Sequence, residues 1–310
     1  MSAVSAAGDE RSQLLRLKAQ LGVVMAGKDE RLDLVLVALV CGGHILIEDV
    51  PGVGKTTLAK ALAASLGTDF GRIQFTADLL PADITGVEMF DPEQRRFVFH
   101  PGPVFHHIVL ADEINRATPK AQSALLEAMA EGTVSIERDT HPLPDPFFVI
   151  ATQNPLEYAG TFPLPESQLD RFFMRITLGY PDAEAERQVL LGRAGRVQLE
   201  GLKPVFPVAQ LAHIREIAAA VPVSDALLDY VLALLAQSRN GQWLRQGVSP
   251  RAAQDLLAAA KARAWLAGQP YVSAADVQAV WLPVVGHRVV ADGDAGKALL
   301  SLMEQVPVPA

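Results

Sequence analysis

The sequence predicts an α/β fold in which a parallel sheet is covered on both faces and an all-helical part follows. Three observations carry this. Five short strand-like runs, Ile45–Ile47, Arg72–Thr76, Ile108–Ala111, Phe147–Ala151 and Met174–Leu178, alternate with helical patterns, the order that builds parallel, doubly covered sheets. Polar residues follow the ends of three of them: a Gly/Lys turn after Ile47, Asp112-Glu113, and Asn154. Ligands of such sheets bind beyond the carboxyl ends of the strands. From Ala183 onward the periodicity is purely helical, so the expected division is 1–182 and 183–310.

Taken in order, residues 1–9 are small and polar and are expected to be frayed. Leu14, Leu17 and Leu21 share one helical face. A second helix is expected over Asp29–Cys41, ended by Gly42-Gly43. Next comes Ile45–Ala59, ILIEDVPGVGKTTLA, which has the strand–loop–helix layout of a phosphate-binding loop. Pro51, Gly52, Val53 and Gly54 form the turn, and Lys55-Thr56-Thr57 open a helix expected to run to Leu66. Glycines let backbone N–H groups converge on an anion, and the helix N-terminus adds partial positive charge. A lysine at this place reaches β/γ-phosphates, and the hydroxyl after it ligates Mg²⁺. The pattern G-x-x-x-x-G-K-[ST] is not complete: its first position is Asp49, and Gly52 sits inside the loop.

Pro81 to Pro103 is punctuated by Pro and Gly, as expected of an insertion or a long loop. A helix over Pro119–Ala130 ends at Gly132, and Thr133–Arg138 alternates like a strand. Glu166–Phe173 reads as helix, and Pro181 breaks the chain after the fifth strand. Five later helices are expected over Glu184–Gly192, Val208–Ala219, Ser224–Gln237, Pro250–Ala267 and Ser273–Trp281. Ser224-Asp225 and Ser249-Pro250 are good helix starts.

Half of the 310 residues are hydrophobic, enough for a sizeable core. The net charge of -8 and isoelectric point near 5.4 argue against a nucleic-acid partner, whose binding domains tend to be basic. Cys41 stands alone, which rules out a disulfide framework, and a thiol at the end of an apolar helix reads as a core residue. The longest apolar run, Leu34–Cys41, falls short of a membrane span, and Asp9, Glu10 and Arg11 stand where an export signal would be apolar. A cytoplasmic protein is the expectation. His106-His107 point to opposite sides of an extended segment and have no third ligand nearby in the sequence.

Nucleotide hydrolysis needs a metal holder, a water activator, a sensor of the γ-phosphate and positive charge against the transition state. Asp112 can hold Mg²⁺, and Glu113 can polarise the attacking water. Asn154 can orient that water, and Arg171 and Arg251 can supply charge. Singly, each has a plainer reading: acidic residues of a helix start, a turn Asn, surface ion pairs. Their order along the chain, each at a strand end or helix start, favours the joint reading.

The strings PGVGKTT, VLADEINRA, FVIATQNP, LPESQLDRF and GVSPRA resemble the MoxR family of AAA+ ATPases. FTADLLPADITG and TPKAQSALLEAM resemble it too, and the likeness runs from about Val24 to Trp281. The resemblance implies an AAA+ core with a five-stranded parallel sheet and a C-terminal helical lid, with ATP and Mg²⁺ as cofactors. It makes Lys55 and Thr56 the Walker A pair, and Asp112 and Glu113 the Walker B pair with Glu113 as base. Asn154 becomes sensor 1. Arg251 becomes sensor 2, acting on the γ-phosphate of its own chain, and Arg171 a finger supplied to a neighbour. Arg116 is a second candidate contact between subunits, and Val24 and Gly27 would flank the adenine. The Pro81–Pro103 stretch would hold the helix-2 insert, and Thr133–Arg138 would open a hairpin. A homo-oligomeric, commonly hexameric ring is implied. So is action as a chaperone-like remodeller of proteins with a von Willebrand factor A domain, whose metal site it helps assemble.

Three other readings stay open at this stage: a nucleic-acid-directed, helicase-like motor, a metal-chelatase motor subunit, and an ATP-gated binding module that hydrolyses little. DNA-stimulated turnover would favour the first, a tetrapyrrole-inserting complex the second, and absence of turnover the third.

Overall fold

The computed structural model describes residues 2–137, 139–155, 160–191 and 199–309. Five strands form one parallel sheet: β1 (Ile45–Glu48), β2 (Phe70–Gln74), β5 (Ile108–Asp112), β8 (Phe148–Gln153) and β9 (Met174–Ile176), in the order β2-β5-β8-β1-β9. Their pairs run Phe70↔Ile108, Ile108↔Phe148, Ile45↔Ile150 and Ile45↔Met174. The chain leaves β1 for the far edge, works back to β8, and crosses β1 to reach β9. The strand order therefore reverses beside β1, where sheets of this kind hold their ligands.

Alternation along the strands divides two cores. Ile45, Ile47, Ile108, Leu110, Phe148 and Ile150 face one; Leu46, Val109, Ala111, Val149 and Ala151 face the other. All are fully or almost fully buried, as expected where a parallel sheet is covered twice. The first core takes in helices Ser2–Val24, Asp29–Val40 and Lys55–Leu66, and continues into the C-terminal helices through Tyr230, Leu256, Trp265 and Trp281. The second is closed by helix Pro119–Glu131, through Ala121, Leu125 and Leu126.

All five expected strands are present, with shifted ends. β2 starts at Phe70, because pairing with β5 sets its register rather than the local alternation at Arg72–Thr76. β9 stops at Ile176, short of Leu178, because the N–H groups of Leu178 and Gly179 go to the Asp49 carboxylate. Helix Glu166–Leu169 is shorter than the expected Glu166–Phe173: the Phe173 N–H leaves for the His44 carbonyl. The first helix reaches back to Ser2, where fraying was expected, over an alanine-rich start that favours helix.

Pro81–Pro103 forms a short helix, Pro81–Thr85, and an antiparallel hairpin, β3 (Gly86–Asp91) with β4 (Arg96–Pro101). A second hairpin pairs β6 (Thr133–Ile136) with β7 (Asp139–Pro142). Arg138 and Gly192, the expected ends of the Thr133 strand and the Glu184 helix, lie outside the described residues.

The later helices are Ala183–Leu190, Gln210–Ala219, Asp225–Arg239, Pro250–Ala267, Ala274–Val285 and Ala295–Gln305. Ala274–Val285 passes its expected end at Trp281 and runs through Pro283, because Val284 and Val285 are fully buried beyond it. The last helix was not expected. Asp294 caps it by accepting from Lys297 N at 3.1 Å, and Leu299 and Leu302 bury its inner face. Cys41 follows the helix end at Val40, and burial pushes its thiol up to about 12.

Candidate active site

β1 delivers the chain to the turn before helix Lys55–Leu66. Gly52 (φ 88°) and Gly54 (φ 97°) are in the left-handed region, which glycine enters without steric cost. A Cβ on Gly54 would lie 3.2 Å from Met25 Cε. The turn and the first N–H groups of the helix face a cavity of about 280 Å³. Pro51, Gly52, Gly54, Lys55, Thr56, Thr57, Asp112, Glu113 and Asn154 line it. Residues read from three separate stretches of sequence therefore share one space. Val53 is turned inward and buried.

Lys55 donates from Nζ to the Asp49 carbonyl at 2.6 Å. Burial lowers its pKa, an effect opposed by Asp49, Asp112 and Glu113. The carboxylates keep the ammonium charged, and a partly desolvated ammonium attracts phosphate. Asp49 is not a flaw in the loop. Its Oδ2 accepts from Leu178 N (2.8 Å) and Gly179 N (2.6 Å), and its Oδ1 from Val50 N (3.0 Å). The residue in the first loop position thus fastens the loop to the chain leaving β9. Lys28, buried nearby, donates to the carbonyls of Gly179 and Tyr180; burial lowers its pKa.

Asp112 ends β5. Its Oδ1 accepts from the Thr152 hydroxyl at 2.7 Å, and its Oδ2 pairs with Arg72 at 2.6 Å. Glu113 is held at φ 58°, a conformation costly for a residue with a side chain and characteristic of functional sites. The Thr152 hydroxyl accepts its N–H at 2.9 Å. Its Oε2 accepts from Gln74 Nε2 (3.0 Å) and pairs with Arg116 Nε (3.2 Å). In this arrangement Arg116 serves its own chain's Glu113. Asn154 is buried at the end of β8. Sequence reading missed Arg72, Gln74 and Thr152. The available signals were the same-face pair Arg72/Gln74 at a strand end, and a fully buried hydroxyl in an apolar strand two residues before Asn154.

The described residues lining the cavity include neither Arg171 nor Arg251. Arg171 donates to the Leu126 carbonyl at 2.8 Å. Arg251, in the first turn of helix Pro250–Ala267, lies 4.0 Å from the Asp170 carboxylate. Its helix start therefore stands beside the turn that carries Asp170, the residue before Arg171. Arg251 is well exposed.

Val24 and Gly27 also lie outside the cavity lining. Val24 is buried in the first core, and Gly27 takes φ 73°, a left-handed conformation that favours glycine, with the Asp182 carboxylate beside it. His106 Nδ1 contacts the Pro103 carbonyl and His107 Nδ1 pairs with Asp69. Among the described residues no helix is long and apolar enough to cross a membrane.

A family model described as ATPase family associated with various cellular activities (AAA) matches residues 44–174, and an AAA lid domain model matches 236–301. The Bacillus subtilis protein YeaC, uncharacterised, is 45% identical over 88% of this chain and 85% of its own length. The Mycobacterium tuberculosis protein named chaperone MoxR1 is 42% identical over 88% of this chain and 74% of its own. A crystal structure of an ATPase candidate from Cytophaga hutchinsonii superposes with a TM-score of 0.90 at 34% identity, covering 100% of this chain and 98% of that one.

Proposed function

Because the chain belongs to the MoxR family of AAA ATPases, we propose that its site is completed between neighbouring subunits of a ring and drives remodelling of partner proteins. The chain binds and hydrolyses ATP by virtue of that family. The observation that carries the reading of residues is the single cavity shared by Lys55, Thr56, Asp112, Glu113 and Asn154. Loop N–H groups and Lys55 take the β- and γ-phosphates. Glu113 receives a proton from the attacking water, and Asn154 orients that water.

The donor set fits Mg²⁺: Thr56 and Asp112 offer hard oxygens in one cavity, and Asp112 keeps lone pairs after meeting Thr152 and Arg72. Bound there with ATP, the ion would neutralise charge on the phosphates. Arg171, which donates to the Leu126 carbonyl and is absent from its own chain's cavity lining, serves the site of the next subunit, and Arg251, exposed in the first turn of its helix, serves as sensor 2 for the γ-phosphate of its own chain. In this reading the core and the lid divide at 182/183, and Val24 and Gly27 stand at the adenine. A hexamer is the ring size, and the setting is cytoplasmic, consistent with one cysteine in 310 residues.

The partner class is a protein with a von Willebrand factor A domain, whose metal site the ring helps assemble; the support is the family and the chaperone name of MoxR1. Two measurements test this. Turnover per subunit should rise with protein concentration as rings form; constant turnover from monomer to ring would sink the shared site. Glu113→Gln rings held in ATP should retain such a partner. Retention of single-stranded DNA in its place would move the assignment to a nucleic-acid motor.

A further inference from the structure

We propose that Arg288 is a positioning residue for Arg171, clamping the turn that bears it to the lid. The proposal rests on the reading that Arg171 serves a neighbour's site. The Arg288 side chain is 2% exposed, and its guanidinium bridges two parts of the molecule. On the lid side it meets Asp255 Oδ2 through NH1 at 2.7 Å. On the sheet side NH2 donates to the Phe172 carbonyl at 2.8 Å, and Nε faces Asp170 Oδ1 at 3.5 Å. Asp170 and Phe172 are the residues on either side of Arg171.

A second lid residue grips the same point: His287 Nε2 donates to the Phe172 carbonyl at 2.7 Å. Burial, helped by the charge of Arg288, pushes His287 down to about 3, so it acts there as a neutral donor. The Phe172 carbonyl thus takes two donors from the lid. Phe172 and Phe173 are buried, and Phe173 N donates to the His44 carbonyl at 2.8 Å. The backbone at Arg171 is therefore pinned on both sides, while its side chain donates to the Leu126 carbonyl in helix Pro119–Glu131.

A buried guanidinium is costly unless its donors are met. Here the planar fork donates to Asp255 and the Phe172 carbonyl, with Asp170 3.5 Å and His287 Nε2 3.3 Å from its Nε, and no lysine could span them. Arg251 and Asp255 are one helical turn apart, so the carboxylate that holds Arg288 and the arginine that meets Asp170 leave the same helix face. Whatever tilts the lid carries Arg171 with it.

The test uses the full-length ring. Arg288→Gln should lower kcat by about 10²-fold, the loss expected when a reacting group is displaced by about an ångström, while affinity for a fluorescent ATP analogue is kept. Mixed with Lys55→Ala subunits, which cannot grip phosphate but carry an intact turn, it should recover turnover. A defect of the subunit's own core would not recover. Asp170→Asn removes the charge that faces Arg288 and Arg251 and keeps one acceptor oxygen; it should show the same pattern more weakly, and it decides the matter should Arg288→Gln not fold. Unchanged turnover in both variants overturns the proposal. So does a loss that mixing fails to restore while an Arg171→Ala and Lys55→Ala mixture does recover. If that control mixture does not recover either, the shared-site reading falls and takes this inference with it.

Discussion

Lys55, Thr56, Asp112, Glu113 and Asn154 reach one cavity from the ends of three adjacent strands. Arg171 and Arg251 stand elsewhere, at the junction of sheet and lid: Arg251 lies 4.0 Å from Asp170, the residue before Arg171, whose own side chain donates to the Leu126 carbonyl. The first group is built by secondary structure: a strand ends, a turn follows, and the functional side chain stands at the sheet edge. The second is built by packing between segments some 80 residues apart in the chain. On the proposed reading, the first group binds nucleotide within one chain and Arg171 serves the site of a neighbour.

The largest test of this contrast is Arg171→Ala. Turnover should fall by about 10³–10⁵-fold, the range for arginines supplied in trans, with nucleotide affinity unchanged in a binding titration. A matching fall in affinity would place Arg171 in its own chain's cavity and erase the distinction. Glu113→Gln breaks the other side. Single-turnover hydrolysis should drop by about 10²–10⁴-fold, the usual weight of a general base, while nucleotide-bound rings accumulate. Turnover surviving this change would remove Glu113 from its role.

Acid should affect both regions at once. His44, under the sheet, lies between the Met129 carbonyl and Val149 N, and burial lowers it to about 4. His287, in the lid, sits at about 3. Below the ordinary value of about 6.5 the unfolded chain takes up protons that the folded chain refuses, so stability falls as pH falls. Each histidine should contribute about 1.4 kcal/mol per pH unit between 6.5 and its folded value, and nothing above 6.5. Urea midpoints against pH would show it, and His44→Gln or His287→Gln should each flatten the slope by one proton. The smallest change is Asp49→Asn. Asn has one carbonyl oxygen for three N–H groups, so nucleotide affinity should weaken by about tenfold, the loss of one charge-assisted hydrogen bond. Unaltered affinity would mean that the loop holds its shape without its tie to 178–179.

The contrast also explains what could be read before the structure. Strands such as Ile108–Ala111 announce themselves, because burial on both faces forces an apolar run, and Asp112-Glu113 stands out against it. The phosphate cavity follows from such local rules. The neighbour of Arg251 was not legible, because nothing near it in the chain encodes that its side chain stands by Asp170. Thr152, Gln74 and Arg72 were hidden for a related reason: their partners lie on neighbouring strands, and strand order is a long-range property. The helix Ala295–Gln305 was legible in principle, from Asp294 as cap and Leu299 and Leu302 as its inner stripe.

The core on one face of the sheet continues without a break into the C-terminal helices. A fragment cut at 182/183 would therefore not be a tidy half. It would leave the outer sides of helix Asp29–Val40 and strand β9 bare on one piece, and Trp281, Val284 and Leu256 bare on the other. Apolar faces of that extent drive self-association. The helical part is sticky when severed, and the nucleotide-binding part is best purified with its lid attached.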